Sequence, residues 1–295
     1  MTAHHHRPAG RDRLGWVIVT VVAAGAVSAC GASAGPATAR TPVTAAASSP
    51  QPASPAGTLR GTTGAGSTPS ASPTPSALPL AGKIVGIDPG HNGDNHTDPA
   101  YIDQQIWNGR ELEDCDTTGT ETDSGYTEAQ FNFNVASFLR ADLVNDGARV
   151  VMTRTSNDGV GPCVTTRAQI INDGHANVAV DIHADGGPPS GRGFAILEPV
   201  ADGANDAVIT SSAQFGDDVR QALLSGTQMP ESTYDGVQGI TQRDDLAGLN
   251  LTTVPKVLIE CGNMRNATDA GLLTSTLFQE QVARALEAAI IHFLA

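Results

Sequence analysis

The sequence predicts an α/β fold in which a single, mostly parallel sheet is flanked by helices. Within residues 82–295, short apolar runs of strand length alternate with longer amphipathic runs of helix length. Polar residues able to bind a metal ion stand at the ends of three apolar runs. In open α/β sheets, ligand sites lie beyond the carboxyl ends of the strands, and we expect the active site there.

Composition restricts the folded domain to the later part of the chain. Of the 17 basic and 31 acidic residues, residues 82–295 hold 12 and 30, a net charge of −18. This charge argues against a nucleic-acid partner, which requires a basic face. About 214 residues are enough for one hydrophobic core, so we expect a single catalytic domain that works as a monomer.

The first 30 residues have the pattern of an export signal. Arg7, Arg11 and Arg13 precede an uncharged apolar stretch, 14–29, that is too short to favour a spanning helix. The ending Val-Ser-Ala-Cys resembles a bacterial lipobox, in which Cys30 is lipidated and becomes the first residue. An ordinary signal peptide cleaved beside a cysteine, or an uncleaved anchor, would also fit.

Residues 31–81 are predicted to be a disordered tether. They consist mainly of Ala, Ser, Thr, Pro and Gly and contain no acidic residue. Such a segment cannot bury enough apolar surface to offset its chain entropy. The predicted organisation is therefore a signal peptide (1–30), a tether (31–81) and a catalytic domain (82–295), exported and anchored to the outer face of the cytoplasmic membrane or secreted.

The elements of the domain follow from periodicity and end signals. The helix over 127–145 has a capping-box pattern at Thr127 and Gln130, and Gly147 stands where a C-cap is expected. The predicted strands are 83–88, 149–153, 177–182, 193–197 and 256–260. The other predicted helices are 165–173, 206–224 and 275–293.

Four polar residues converge on the carboxyl edge of this predicted sheet. His91 follows the first strand in IVGIDPGHNG, His183 lies at the end of NVAVDIHADGG, and Glu260 ends the strand in PKVLIECGN. Glu128 opens the helix that returns from the first strand, and its spacing from the apolar stripe places it on the inward face. An inward carboxylate requires a partner, and a metal ion supplies one.

These residue types indicate zinc chemistry. Two imidazoles and one carboxylate are the ligand set of a catalytic zinc with a fourth position open for water. We expect one zinc on His91, Glu128 and His183, with Glu260 as the base for the water. Taken alone, each residue has a simpler explanation. Either histidine would fit a hydrogen-bonded polar group after a buried strand, Glu128 a favourable charge at a helix N-terminus, and Glu260 a capping or salt-bridged carboxylate. Asp88 is a candidate acceptor that orients a ligand imidazole, although a loop-capping carboxylate is an equally good reading.

The runs IVGIDPGHNG, YTEAQFNFNVASFL, DIHADGG and VPKVLIECGNMRN resemble the zinc-dependent N-acetylmuramoyl-L-alanine amidases, in the compact form found in mycobacteria. The resemblance covers essentially all of 82–295. It implies that His91, Glu128 and His183 bind zinc, that Glu260 is the catalytic carboxylate, and that Arg167 is structural. The implied reaction, in cell-wall remodelling, cleaves the peptidoglycan amide between N-acetylmuramic acid and L-alanine.

The chain departs from this family pattern at several places. Asp181 and Asp185 stand where many relatives have serine and asparagine, and Asn92 replaces a usual glycine. A long polar insert separates His91 from Glu128. These departures concern loop conformation and substrate detail rather than the metal.

Two other functions would fit parts of the pattern. A zinc peptidase cutting within the stem peptide would begin its ligands as a short His-x-x-Glu, whereas His91 and Glu128 are 37 residues apart. A non-catalytic wall-binding lipoprotein is expected to have lost Glu260 or a ligand, and all four residues are present.

The remaining cysteines predict one disulfide. With Cys30 assigned to the lipobox, Cys115, Cys163 and Cys261 are left. Cys115 and Cys163 lie in loops that follow predicted parallel strands, and both loops are therefore at the carboxyl edge. Because the exported compartment is oxidising, we expect a Cys115–Cys163 disulfide and a buried thiol at Cys261.

Overall fold

A six-stranded sheet organises the part of the chain that the computed structural model describes, residues 78–295. The predicted signal peptide (1–30), the lipidation site at Cys30 and most of the predicted tether (31–81) lie outside the described residues. Among the described residues, no helix is long and apolar enough to cross a membrane.

The described elements agree with the predicted alternation of strands and helices. The strands are β1 (Ile84–Pro89), β2 (Gln105–Trp107), β3 (Leu112–Asp114), β4 (Arg149–Met152), β5 (Val178–Asp185), β6 (Ala195–Pro199), β7 (Ile240–Arg243) and β8 (Lys256–Asn263). The helices are α1 (Pro99–Ile102), α2 (Glu128–Asn145), α3 (Val164–Asp173), α4 (Ile209–Gly226), α5 (Ala247–Asn250), α6 (Ala267–Leu273) and α7 (Thr276–Leu294). Short 3-10 turns occupy Asn95–Thr97 and Asp206–Val208.

The sheet is mostly parallel, as the sequence predicts. Its strand order is β4-β1-β5-β8-β6-β7. β1 pairs in parallel with β4 and β5, and β5 pairs in parallel with β8. β6 runs antiparallel to β8 and carries β7 parallel to itself at the edge. The prediction of a single α/β domain is confirmed, and β2 and β3 form a separate hairpin within the insert.

The two faces of the central strands differ in chemistry. On one face, side chains such as Val180, Ile182 and Ile259 belong to the main hydrophobic core, which packs against α2, α4 and α7. On the other face, which α3 and α5 cover, alternate positions of the same strands carry Asp181 and Lys256, both buried. Because strand side chains alternate between faces, the charged positions are separated from the main core.

Helix α2 begins and ends as its sequence predicts. The Thr127 hydroxyl accepts a hydrogen bond from the Gln130 N–H at 3.3 Å. Gly147, just past the helix, has a φ of 92°, a conformation that glycine adopts without steric cost. The buried stripe consists of Phe131, Val135, Leu139 and Leu143, with Phe138 partly buried.

The structure moves some boundaries. The folded domain includes Leu80, two residues before the predicted boundary at 82, because its side chain is 1% exposed and belongs to the core. Its N–H also donates to the Asp146 carbonyl at 3.0 Å. β5 and β8 run past their predicted ends, so His183 and Glu260 lie within strands. The sequence shows no apolar periodicity that predicts the six short elements α1, α5, α6, β2, β3 and β7.

The disulfide predicted between Cys115 and Cys163 is present. It joins Cα atoms 4.7 Å apart across 48 residues of sequence. Cys115 follows β3, and Cys163 is the N-cap residue of α3. The bond therefore fastens the insert to α3. Cys261 is a buried free thiol, as expected.

We predict that replacing both Cys115 and Cys163 by alanine lowers the free energy of unfolding by up to about 4 kcal/mol, because the crosslink restricts the unfolded chain. Urea denaturation of the two proteins measures the difference. A reductant should reduce the stability of the wild type and leave that of the double variant unchanged. Equal stability of wild type and double variant under oxidising conditions would contradict the prediction.

Candidate active site

Three of the four residues predicted to converge form one cluster. Glu128 Oε1 lies 3.2 Å from His91 Nε2 and 2.8 Å from His183 Nδ1. The two rings meet edge to face, with centroids 4.8 Å apart. Each of the three residues offers a ligand atom within 4.8 Å of the other two. The end of β1, the start of α2 and β5 thus bring together groups that are 92 residues apart in sequence.

Two glycines allow this close packing. A Cβ atom at Gly90 would lie 2.1 Å from the His183 ring. A Cβ atom at Gly119 would lie 2.8 Å from both Glu128 Oε2 and the His91 ring, and Gly119 has a φ of 71°. Any larger residue at either position would displace one of the three clustered side chains.

The cluster has the spacing and the charge that suit a divalent metal ion. Zinc–ligand bonds of about 2.0–2.1 Å place tetrahedral ligand atoms about 3.3 Å apart, and the Glu128 oxygen lies 3.2 and 2.8 Å from the two histidine nitrogens. Burial by itself would lower the pKa of His91, but the Glu128 and Asp116 carboxylates raise it to about 9. Burial would raise the pKa of Glu128, but the two histidines hold it well below its usual range. The surroundings therefore favour positive charge between the imidazoles.

Glu260 is placed beside the cluster by the pairing of β5 with β8. It is the register partner of His183, and the two side chains line the same groove of about 330 Å³. Its Oε2 atom is buried and has no hydrogen-bond partner. Burial, reinforced by the Glu128 and Asp185 carboxylates, raises the pKa of Glu260 to about 8. A carboxyl group with such a pKa can both accept and release a proton near neutrality.

Polar groups surround the groove near Glu260. Asp185, one of the departures from the family pattern, accepts a hydrogen bond from the Tyr234 hydroxyl at 2.7 Å. Arg243 lines the groove and is bound through two hydrogen bonds, of 2.7 and 2.8 Å, to Asp245. The groove therefore offers both charged and hydrogen-bonding groups to a polar substrate.

The structure corrects the expectation that Asp88 orients a ligand imidazole. Asp88 instead accepts hydrogen bonds from Thr153 Oγ1 at 2.6 Å, Arg167 at 3.0 Å and Lys256 Nζ at 3.1 Å. Burial would raise the pKa of Asp88, but Lys256 and Arg167 lower it. Its side chain lies on the charged face of the sheet, where it is paired with these two buried cations and not with His91.

Arg167 holds the first histidine loop in place. Its guanidinium is buried and donates to Asp88 and Asp116 carboxylates at 3.0 and 3.1 Å. It also donates to the backbone carbonyls of Pro89 and His91, each at 2.8 Å. These bonds join α3 to the end of β1 and to the disulfide loop, which is a structural role.

In each of the two histidines, the ring nitrogen that does not face Glu128 (the outer nitrogen) lies beside a carboxylate. The sequence did not predict either of these two contacts. His91 Nδ1 lies 3.2 Å from Asp116 Oδ1 and 3.1 Å from the Thr117 carbonyl. His183 Nε2 lies 3.3 Å from Asp181 Oδ1. The two-residue spacing of Asp181 and His183 on a strand could have revealed their shared face. Asp116, in an irregular loop, gave no comparable signal.

Comparisons with known proteins agree with this site. The sequence model of the Amidase_3 family, described as N-acetylmuramoyl-L-alanine amidase, matches residues 85–292. An N-acetylmuramoyl-L-alanine amidase of Mycobacterium tuberculosis is 40% identical over 227 residues, which are 77% of this chain and 91% of that protein. The N-acetylmuramyl-L-alanine amidase structure from Mycobacterium smegmatis is 40% identical with a TM-score of 0.69, covering 73% of this chain and 98% of that one. The Mycobacterium abscessus structure is 38% identical with the same TM-score, covering 73% and 100%.

The matched range contains all four residues predicted to converge, and these relatives are all described as amidases. The peptidase and the non-catalytic lipoprotein considered above find no support among them. The chain therefore belongs to the N-acetylmuramoyl-L-alanine amidase family and is an N-acetylmuramoyl-L-alanine amidase that acts on peptidoglycan.

Proposed function

We propose that this amidase uses one zinc ion held by His91, Glu128 and His183, with Glu260 as the catalytic proton carrier. The observation that carries the proposal is the juxtaposition of the three ligand side chains with a buried carboxyl oxygen that has no hydrogen-bond partner. A catalytic zinc site keeps three protein ligands and one open position, and this cluster offers three.

The reaction makes three chemical demands on the site. Amide hydrolysis needs an activated water, stabilisation of the oxyanion and a proton for the leaving amine. A bound zinc lowers the pKa of water and polarises the carbonyl. Glu260 accepts the proton of the attacking water and delivers it to the nitrogen of L-alanine as the bond to the lactyl carbonyl breaks. The same carboxyl group is therefore deprotonated when it accepts the proton and protonated when it delivers it.

We predict that alanine at His91, Glu128 or His183 lowers both the zinc content and the activity, because each substitution removes one of three ligands. Metal analysis of the purified variants and muropeptide digestion measure the two effects. His292→Ala is the control, since His292 lies on α7 and is exposed. A full zinc content in all three ligand variants would refute the ligand assignment.

Glu260→Gln separates metal binding from chemistry. The amide keeps the shape of the side chain but cannot carry the proton, so we expect unchanged zinc content and turnover lower by about 10²–10⁴-fold. Glu280→Gln on α7 is the control for a carboxylate-to-amide change away from the groove. Mass spectrometry of the digested peptidoglycan measures turnover and identifies the bond cut. Wild-type turnover in Glu260→Gln would remove the residue from the mechanism.

The enzyme works outside the cytoplasm, as its peptidoglycan substrate and its disulfide require. We further propose that residues 1–30 direct export, that Cys30 carries a lipid anchor, and that the chain from residue 31 up to Leu80, where the folded core begins, tethers a monomeric domain to this anchor. At about 5–6 Å times the square root of its length, a tether of about fifty residues spans about 40 Å.

If Cys30 is lipidated, Cys30→Ser should move the enzyme from the membrane fraction to the soluble fraction without changing its activity in solution. Cys30 lies 50 residues before Leu80, the first core residue of the folded domain, so the substitution leaves the site intact. Fractionation, with mass analysis of the mature N-terminus, measures the effect. A wild-type protein found wholly in the soluble fraction with an unmodified N-terminus would indicate secretion instead.

A further inference from the structure

A continuous path of buried charge runs behind the histidine cluster, on the face of the sheet that α3 and α5 cover. Asp88 lies at its centre, between the two buried cations Arg167 and Lys256. Each cation also contacts a second carboxylate, and each of these carboxylates faces one histidine. In order, the path is His91, Asp116, Arg167, Asp88, Lys256, Asp181 and His183.

The Lys256 end of this path follows from strand register. Lys256 pairs with Ala179 and Glu260 pairs with His183, so the alternate positions Ala179, Asp181 and His183 share a face with Lys256. Lys256 is 1% exposed, and its Nζ atom lies 3.1 Å from Asp88 Oδ2 and 3.4 Å from Asp181 Oδ2. The ammonium is therefore shared between the two carboxylates.

The two nitrogens of His183 have different partners. Nδ1 lies 2.8 Å from Glu128 Oε1 in the cluster, and Nε2 lies 3.3 Å from Asp181 Oδ1 on the opposite side. Asp181 Oδ1 is buried, has no hydrogen-bond partner in the observed ring orientation and is the oxygen that faces Nε2. Metal-binding histidines are commonly oriented by a carboxylate at their second nitrogen.

We propose that Asp181, held in place by Lys256, is a positioning residue for His183. In this role Asp181 Oδ1 accepts a hydrogen bond from Nε2–H, so that the unprotonated Nδ1 faces the metal site. This inference rests on the proposed function, because it assumes that His183 is a ligand. It assigns a role to Lys256, which does not itself belong to the cluster.

A purely structural role for Asp181 would be to neutralise Lys256. Lys256 already has Asp88 as a closer partner, and the Asp181 oxygen that points away from Lys256 is the one beside the imidazole. The arrangement at the other histidine is similar, with the two ring nitrogens exchanged, since Asp116 joins His91 Nδ1 to Arg167. Two independent parts of the chain thus present an ion-paired carboxylate to the outer nitrogen of a cluster histidine.

The test measures zinc dissociation constants by competition with a chelator, using the full-length protein. Asp181→Asn should weaken zinc binding by about 10–100-fold, the usual effect of losing such a partner. Lys256→Met should also weaken it, although Lys256 touches no ligand. The double variant should bind zinc no more weakly than Asp181→Asn, because both changes disable the same contact. The double variant removes one negative and one positive charge, so it leaves no new unpaired charge in the buried path. It can therefore be measured even if Lys256→Met alone does not fold.

Thr153→Val is the matched control. It removes the 2.6 Å hydrogen bond to Asp88, so it disturbs the same buried path without touching Asp181. We expect lower thermal stability but an unchanged zinc dissociation constant. With cobalt in place of zinc, the visible absorption bands should change in Asp181→Asn and stay the same in Thr153→Val.

The outcomes separate this inference from the proposed function. If the wild type binds no zinc, the proposed function fails. If His183→Ala weakens zinc binding but Asp181→Asn stays within twofold of the wild type, only the positioning role is overturned. Equal weakening in Asp181→Asn and Thr153→Val would also overturn it, because it would reduce Asp181 to general support of the fold.

Discussion

The negative charge buried under the carboxyl edge of the sheet must be compensated by nearby cations, and this requirement fixes the loops that carry the active-site residues. Asp88, Asp116, Glu128 and Asp181 are each no more than 5% exposed, and burying a carboxylate is costly unless a cation or hydrogen bonds compensate. Arg167 and Lys256 compensate part of this charge, and further buried negative charge remains around the two histidines. A divalent cation held by this cluster would complete the compensation, so the same charges that hold the loops also favour metal binding there.

The insert between the first two proposed ligands belongs to this arrangement. Its Cys115 is bonded to Cys163, and the next residue, Asp116, contacts both His91 and Arg167. Arg167 lies in the helix that Cys163 caps. The disulfide and the ion pair therefore fasten the same two segments, and the covalent bond reduces the freedom of the loop that presents the carboxylate.

The groove joins this scaffold to the reaction. β8 carries Lys256 at its start and Glu260 near its end, so one strand supports the buried charge path and supplies the proposed proton carrier. Burial and neighbouring carboxylates raise the pKa of Glu260, which a solvent-exposed glutamate would not experience. Asp181 and Asp185, the two β5 residues that depart from the family pattern, both lie next to the histidine cluster. Asp181 lies behind His183, and Asp185 lines the groove beside Glu260.

Local sequence patterns were enough to predict the alternation of strands and helices and the capped helix that starts at Glu128. They also predicted the edge at which His91, His183 and Glu260 end their runs, and the pairing of Cys115 with Cys163. These features depend on local periodicity, on end signals and on the rule that parallel strands share a carboxyl edge. The partners of Asp88, and the contacts of Asp116, Asp181 and Lys256, became apparent only in the folded structure. Strand register and the packing of α3 bring these side chains within hydrogen-bond or ion-pair distance across as many as 168 residues, and no local pattern records such contacts. These charged side chains become buried, and therefore need partners, only when the strands and helices are assembled around the sheet.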